Sequence, residues 1–306
     1  MDSKIEFYDI PGAPLARVYT NLLPNVSKLM DLLKDSEKNP GKYSRFKDWQ
    51  VWNDLGTMVP AGIPPEFSLL DAYGDGKDFF AKTEKNLETE LLFEVYKAYY
   101  LSVEHYMQDK NIPKNIKTHP DGPSFYKYDH TLPAPTPNTP EYNMNYHTDF
   151  AFSLKNNPGK KSIVTCTMYL NDDYDGGEMV FNLEPRLSRP YYKRSEQFSE
   201  DETYISGRVV YRPKAGDVVV FPSGNPDYLS DDGFYFHCVN RVTNGDKYFL
   251  SIFNSYIYEG SKEYQEGLEE YGEELWTWLE KKRTYNAGFK KKAVSLDDPG
   301  RELPST

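Results

Sequence analysis

Apolar positions change period along the chain, and the change divides it. In 23–37, "LPNVSKLMDLLKDSE", Val26, Leu29, Leu32 and Leu33 recur at helical spacing behind a proline. A second helical pattern runs over 76–111, where Phe80, Leu87, Leu91, Val95, Ala98 and Val103 mark one apolar face between Glu and Lys residues. The intervening 40–76 mixes Pro, Gly and aromatic residues without a period and reads as structured loop. From about 122 the period drops to two. Strands are predicted at "SFYKY" (124–128), "YHTDFAFSL" (146–154), "SIVTCTMYL" (162–170) and "EMVFNL" (178–183). Two longer runs follow, "GRVVYRPKAGDVVVFPS" (207–223) and "FYFHCVNRVTNGDKYFLSIFNSYIY" (234–258). A last helix is predicted over 261–285, and the tail beyond 290 is expected to fray.

This order predicts an α+β chain of one domain. Residues 1–121 form a helical support region, 122–258 a barrel or sandwich core, and 259–306 a C-terminal helix and tail. The chain has 306 residues, enough to bury a large core. Its formal net charge of −11 argues against sequence-independent binding to nucleic acid or to anionic membrane. No apolar stretch approaches the ~20 residues of a membrane-spanning helix, and the first residues lack a basic and apolar leader. A cytoplasmic protein is the expectation. Two cysteines, Cys166 and Cys238, make no disulfide framework and read as small buried apolar residues. The oligomeric state is not legible. Tyrosine is abundant, with 26 residues, and a tyrosine-rich wall can both stack on a ligand and hydrogen-bond it.

The chemistry starts at "YHTDF", 146–150. His147 and Asp149 flank one residue, so on a strand both side chains share a face and could hold one ion. Of five histidines, His105, His119 and His130 lie in a helix or in loops and read as structural or solvated. His237 begins a strand further on. Two histidines and one carboxylate occupy one face of an octahedral metal and leave three positions open, an arrangement suited to non-haem Fe(II). Lys247 follows His237 past the turn "TNG". On an antiparallel return its ammonium reaches the inner wall, where a buried cation needs an anionic partner.

With these segments in place, the chain resembles the Fe(II)- and 2-oxoglutarate-dependent dioxygenases, and within them the prolyl 4-hydroxylase-like branch. The resemblance is carried by "YHTDF", "SIVTCTMYLNDDYDGGEMVF", "PKAGDVVVFPS" and "FHCVNRVTNGDKYFLSIF", over about 125–255. It implies a double-stranded β-helix (jelly-roll, cupin-like) core with flanking helices. It implies His147, Asp149 and His237 as iron ligands, and Lys247 as partner of the distal carboxylate of 2-oxoglutarate. Tyr169 is implied as a hydroxyl donor to that carboxylate, Thr165 as a residue of the same pocket, and Tyr128 as a further cosubstrate contact, with Tyr126 as its competitor. The implied cofactors are Fe(II), 2-oxoglutarate and O2, with ascorbate as an accessory. The implied reaction hydroxylates a peptidyl residue, proline first, while 2-oxoglutarate becomes succinate and CO2. Asp149 keeps the carboxylate that related halogenases lack, which favours hydroxylation.

Substrate identity is where the residues fall silent. Two long loops, 184–206 and 223–235, flank the expected mouth, and the first gathers Arg186, Arg189, Lys193 and Arg194 around Tyr191 and Tyr192. A lid over a peptide or an anionic small molecule fits them, and so does a solvated excursion. The same chemistry on a free amino acid or small metabolite is the first alternative. A non-catalytic β-barrel that binds a ligand or partner protein is the alternative of another class.

Overall fold

Runs of alternating β-branched and aromatic residues build two main, mostly antiparallel sheets beside a small two-stranded one, and the alternation sorts their side chains into two cores. The structure, a computed structural model, describes residues 5–46, 48–52, 56–61, 76–110, 117–120, 123–131, 142–147, 149, 161–182, 208–223, 235–257 and 290–291. The chain opens with β1 (Glu6–Ile10), β2 (Ala13–Tyr19), α1 (Val26–Lys38), β3 (Gln50–Trp52) and β4 (Gly56–Pro60). Then come α2 (Lys77–Lys82), α3 (Leu87–Asp109), β5 (Lys117–Pro120), β6 (Ser124–Asp129), β7 (Tyr142–His147) and β8 (Lys161–Tyr169). The remainder is β9 (Asp175–Gly176), β10 (Met179–Asn182), β11 (Arg208–Tyr211), β12 (Val218–Pro222), β13 (Phe236–Asn240), β14 (Val242–Asn244), β15 (Asp246–Ile257) and β16 (Lys290–Lys291).

The larger sheet has the order β16-β1-β2-β12-β8-β15-β6-β4-β3, with β5 also paired to β15, and only β16 runs parallel to its neighbour. The smaller sheet is β11-β10-β13-β7. From β6 onward the chain alternates between them: β6 and β8 in the larger sheet, β7, β10 and β11 in the smaller, β12 back in the larger, β13 in the smaller, β15 in the larger. One face of the larger sheet packs on the helices. Val164, Cys166 and Met168 of β8, Val218 and Val220 of β12, and Leu250 and Ile252 of β15 meet Leu29, Leu33, Leu91 and Val95 there. The opposite face carries Tyr126, Tyr128, Tyr169, Val219, Phe221 and Phe249, which meet Met179, Phe181 and Val239 of the smaller sheet. The site lies in this second core.

Several expectations are corrected. The first third holds strands that the helical pattern did not announce: among the described residues, β1 and β2 form a hairpin around Gly12, whose backbone has φ 81°. That hairpin extends the larger sheet beside β12, with Val218 opposite Tyr19 and Val220 opposite Arg17. The pattern over 76–111 is broken at Thr83, and α3 starts afresh from Asn86 in a capping box with Thr89. Leu87, expected on the apolar face, is therefore the first residue of a helix and 50 % exposed. The run 207–223 divides between the two sheets at a turn containing Gly216, φ 87°. The expected helix 261–285, the loop 184–206 and most of 223–235 lie outside the described residues. Among the described residues, no helix is long and apolar enough to cross a membrane.

Candidate active site

β7 and β13 are antiparallel neighbours, and their register sets His147 directly opposite His237. The ring centroids are 4.2 Å apart. The strand expected to carry both His147 and Asp149 ends at His147, and Asp149 lies just beyond it. The chain nevertheless turns the carboxylate back onto both rings: Asp149 Oδ1 is 3.3 Å from His147 Nε2, and Oδ2 is 3.5 Å from His237 Nε2. One ligand atom from each of the three residues lies within 4.8 Å of the others, and all three side chains are buried.

The proton inventory shows what this cluster wants. His237 Nδ1 donates to the Tyr235 carbonyl at 3.2 Å. A carbonyl only accepts, so Nδ1 holds the proton and Nε2 presents a lone pair. Burial, and then the His147 imidazole, push the His237 pKa down to about 4, so the ring is neutral near pH 7. Burial raises the Asp149 carboxyl, but the two imidazoles and the Thr165 hydroxyl outweigh it and hold it below the usual carboxylate range. A lone pair of His237 thus faces an ionised Asp149 oxygen. Two acceptors at that separation call for a cation between them, and two imidazoles with one carboxylate suit a divalent first-row metal such as Fe(II).

Asp149 is held from behind. The Thr165 hydroxyl donates to Asp149 Oδ2 at 2.6 Å and lies 2.9 Å from the Ser223 hydroxyl. Thr165 stands on β8 opposite Phe221 of β12, which places Ser223 just past that strand's end. Ser223 was not legible as a site residue, because its contact with Thr165 joins two strands distant in sequence.

The second half of the site is a buried cation. Lys247 on β15 is 1 % exposed, and its ammonium donates to the Gly177 carbonyl. No carboxylate pairs with it among the described residues. Its Nζ lies 5.0 Å from the ring centroid of Tyr169, 5.4 Å from that of Phe249 and 5.8 Å from that of Tyr174. Burial pushes its pKa down to about 7, against a smaller opposing effect of Glu178. Gly177, with φ 69°, makes room: a Cβ there would sit 2.9 Å from Tyr174 and 3.1 Å from the Lys247 side chain.

Of the aromatic candidates, only Tyr169 lies against this ammonium. The Tyr169 hydroxyl meets Met179 Sδ at 3.2 Å. Tyr128 is the register partner of Lys247, and its hydroxyl lies 3.8 Å from Met144 Sδ. Tyr126 stacks on Phe249 at 5.0 Å. Both cysteines are buried. Among the histidines left out of the site, His105 is buried against the Tyr19 hydroxyl at 2.8 Å and His130 is exposed.

Comparison with known proteins accords with the site. Residues 137–255 match the 2OG-Fe(II) oxygenase superfamily profile. No curated protein matches the chain. Among solved structures, similarity is found to the viral collagen prolyl hydroxylase of Paramecium Bursaria Chlorella virus-1 in its 2OG complex. The identity is 12 %, over 79 % of this chain and 96 % of that one, with a TM-score of 0.42. A prolyl 4-hydroxylase of Phytophthora capsici is 17 % identical over 89 % of this chain and 70 % of its own, with a TM-score of 0.38. The prolyl-4-hydroxylase of Pseudomonas putida is 13 % identical over 80 % and 92 %, with a TM-score of 0.35. The matched segment holds the His147, Asp149 and His237 cluster, Lys247 and the four strands of the smaller sheet.

Proposed function

We propose that this protein is an Fe(II)- and 2-oxoglutarate-dependent dioxygenase that hydroxylates a peptidyl residue, prolyl residues first. One juxtaposition carries the reading. A three-donor cluster that calls for a cation, and a buried ammonium without a carboxylate partner among the described residues, share the core between two sheets. A dicarboxylate that chelates a metal at one end and meets an ammonium at the other satisfies both. The strand alternation supports reading the two sheets as the halves of a double-stranded β-helix, with the site between them.

In this reading His147, Asp149 and His237 hold the metal. Lys247 receives the distal carboxylate of 2-oxoglutarate, which restores its charge, and the Tyr169 hydroxyl turns from Met179 to assist. Tyr128, opposite Lys247 in register, is favoured over Tyr126 as the further contact. Thr165 commits its hydroxyl to Asp149 and steadies the carboxylate ligand. Bound Fe(II) supplies the activation of O2 that couples decarboxylation of the 2-oxo acid to succinate and CO2 with oxygen insertion into the substrate. The residues present the cosubstrate, exclude water and fix orientation. The preference for a peptidyl residue rests on the resemblance of "YLNDDYDGGE" and Lys247 to the prolyl 4-hydroxylase-like branch.

The test is succinate production from 2-oxoglutarate with Fe(II), ascorbate and air, against proline-rich peptides and free amino acids. Iron-dependent turnover that rises with a peptide supports the reading. Turnover that rises only with a free amino acid moves the substrate to a small metabolite. Absence of turnover, with no calorimetric binding of Fe(II) or 2-oxoglutarate, replaces the enzyme with a binding module.

A further inference from the structure

Tyr235 is the only non-glycine residue with a left-handed backbone among the described residues, at φ 63°. An aromatic residue there is disfavoured and persists only where its surroundings fix it. Three contacts do so. Its carbonyl receives the Nδ1 proton of His237. Its hydroxyl accepts the backbone N–H of Leu15 at 2.7 Å. Its ring meets Phe181 edge-on at 5.9 Å, and Phe181 is itself the register partner of His237. Leu15 belongs to β2 of the N-terminal hairpin, and its carbonyl accepts the Tyr106 hydroxyl of α3 at 2.7 Å. Helix, hairpin and Tyr235 thus meet at the backbone of Leu15, and the Tyr235 carbonyl carries the link on to the imidazole of His237.

We infer that Tyr235 is a positioning residue for His237, latched by the N-terminal hairpin through Leu15. The left-handed turn lets the Tyr235 carbonyl meet an imidazole two residues on, which fixes its tautomer and its plane. The Leu15 hydrogen bond holds the tyrosine in that turn. The inference rests on the reading of His237 as a metal ligand, and its test separates the two.

Titration of the full chain with Co(II), followed by its visible ligand-field spectrum, is the experiment. Tyr235→Phe keeps the ring and removes the acceptor of the Leu15 N–H. It is expected to weaken Co(II) binding about tenfold, as loss of an orienting partner does, and to shift the spectrum. Tyr19→Phe breaks the buried Tyr19–His105 bond in the same hairpin without touching Leu15. It is expected to leave both affinity and spectrum as in the unsubstituted protein, which supports the latch. Unchanged Co(II) binding and spectrum in Tyr235→Phe, or an equal loss in Tyr19→Phe, overturns the inference. Failure of the unsubstituted protein to bind Co(II) overturns the metal reading and the inference with it.

Discussion

The Thr165 hydroxyl donates to Asp149 Oδ2 at 2.6 Å, from a strand that contributes no ligand of its own. If Asp149 is the metal ligand proposed above, this bond should keep its carboxylate from swinging as a metal arrives or leaves. Thr165→Val removes the donor at nearly constant volume and is expected to weaken Fe(II) or Co(II) binding by about ten- to a hundredfold. Thr165→Ser should restore most of the loss. Equal metal affinities for Val and Thr by calorimetry would contradict the role.

The proposed role of Lys247 predicts a pH-sensitive cosubstrate site. Its pKa in the folded chain is about 7, while the unfolded chain keeps the ordinary lysine value. Between these values the unfolded state binds more protons, so stability without cosubstrate rises as pH increases from about 7 towards 10. In the proposed reading, binding of 2-oxoglutarate recharges the ammonium. It should therefore take up a proton above pH 7 and lose affinity as pH rises. Calorimetry at pH 8 in buffers of different ionisation enthalpy measures that uptake directly. Lys247→Ala should weaken 2-oxoglutarate binding and abolish the uptake, and undiminished affinity in that variant would remove Lys247 from the site.

Gly177→Ala tests the wall behind the ammonium. The added carbon meets Tyr174 and Lys247 at close range on a left-handed backbone. A stability loss of about 1–3 kcal/mol is expected, together with weaker 2-oxoglutarate binding, while Co(II) affinity stays unchanged. Thermal unfolding and two separate titrations resolve these effects. A loss of Co(II) affinity instead would show that the two halves of the site move together.

Asn86→Ala provides the opposite pattern. Asn86 caps α3 by accepting the Thr89 N–H at 3.0 Å, while its own N–H reaches the Thr89 hydroxyl at 3.1 Å. Its loss should cost about 1 kcal/mol in denaturant unfolding without altering metal or cosubstrate binding.

The site was legible where chemistry is written locally. His147 and Asp149 sit nearly adjacent, and the turn "TNG" announces the return that carries Lys247. The strands from β6 to β15 were legible because alternate residues face different cores, which imprints a period of two. The hairpin β1–β2 carried a signal too, since "PG" stands between two runs of alternating residues, but its place beside β12 depends on a pairing across most of the chain. The break before α3 contains neither Gly nor Pro; its only mark is the Asn86 and Thr89 spacing, which resembles ordinary helix surface. Ser223 and Tyr235 act through partners distant in sequence, Thr165 and Leu15, and no window along the chain contains either pair.

The position of β2 beside β12 also orders events during synthesis. Residues 6–19 leave the ribosome long before residues 218–222 and 290–291 exist, so the hairpin must wait with both edges unpaired. Contacts of such long sequence separation close slowly and late, and an open edge invites pairing with other chains meanwhile. The sheet that frames the catalytic core can close only after nearly all of its strands have been made, and the ability to retain metal should therefore be among the last properties a nascent chain acquires.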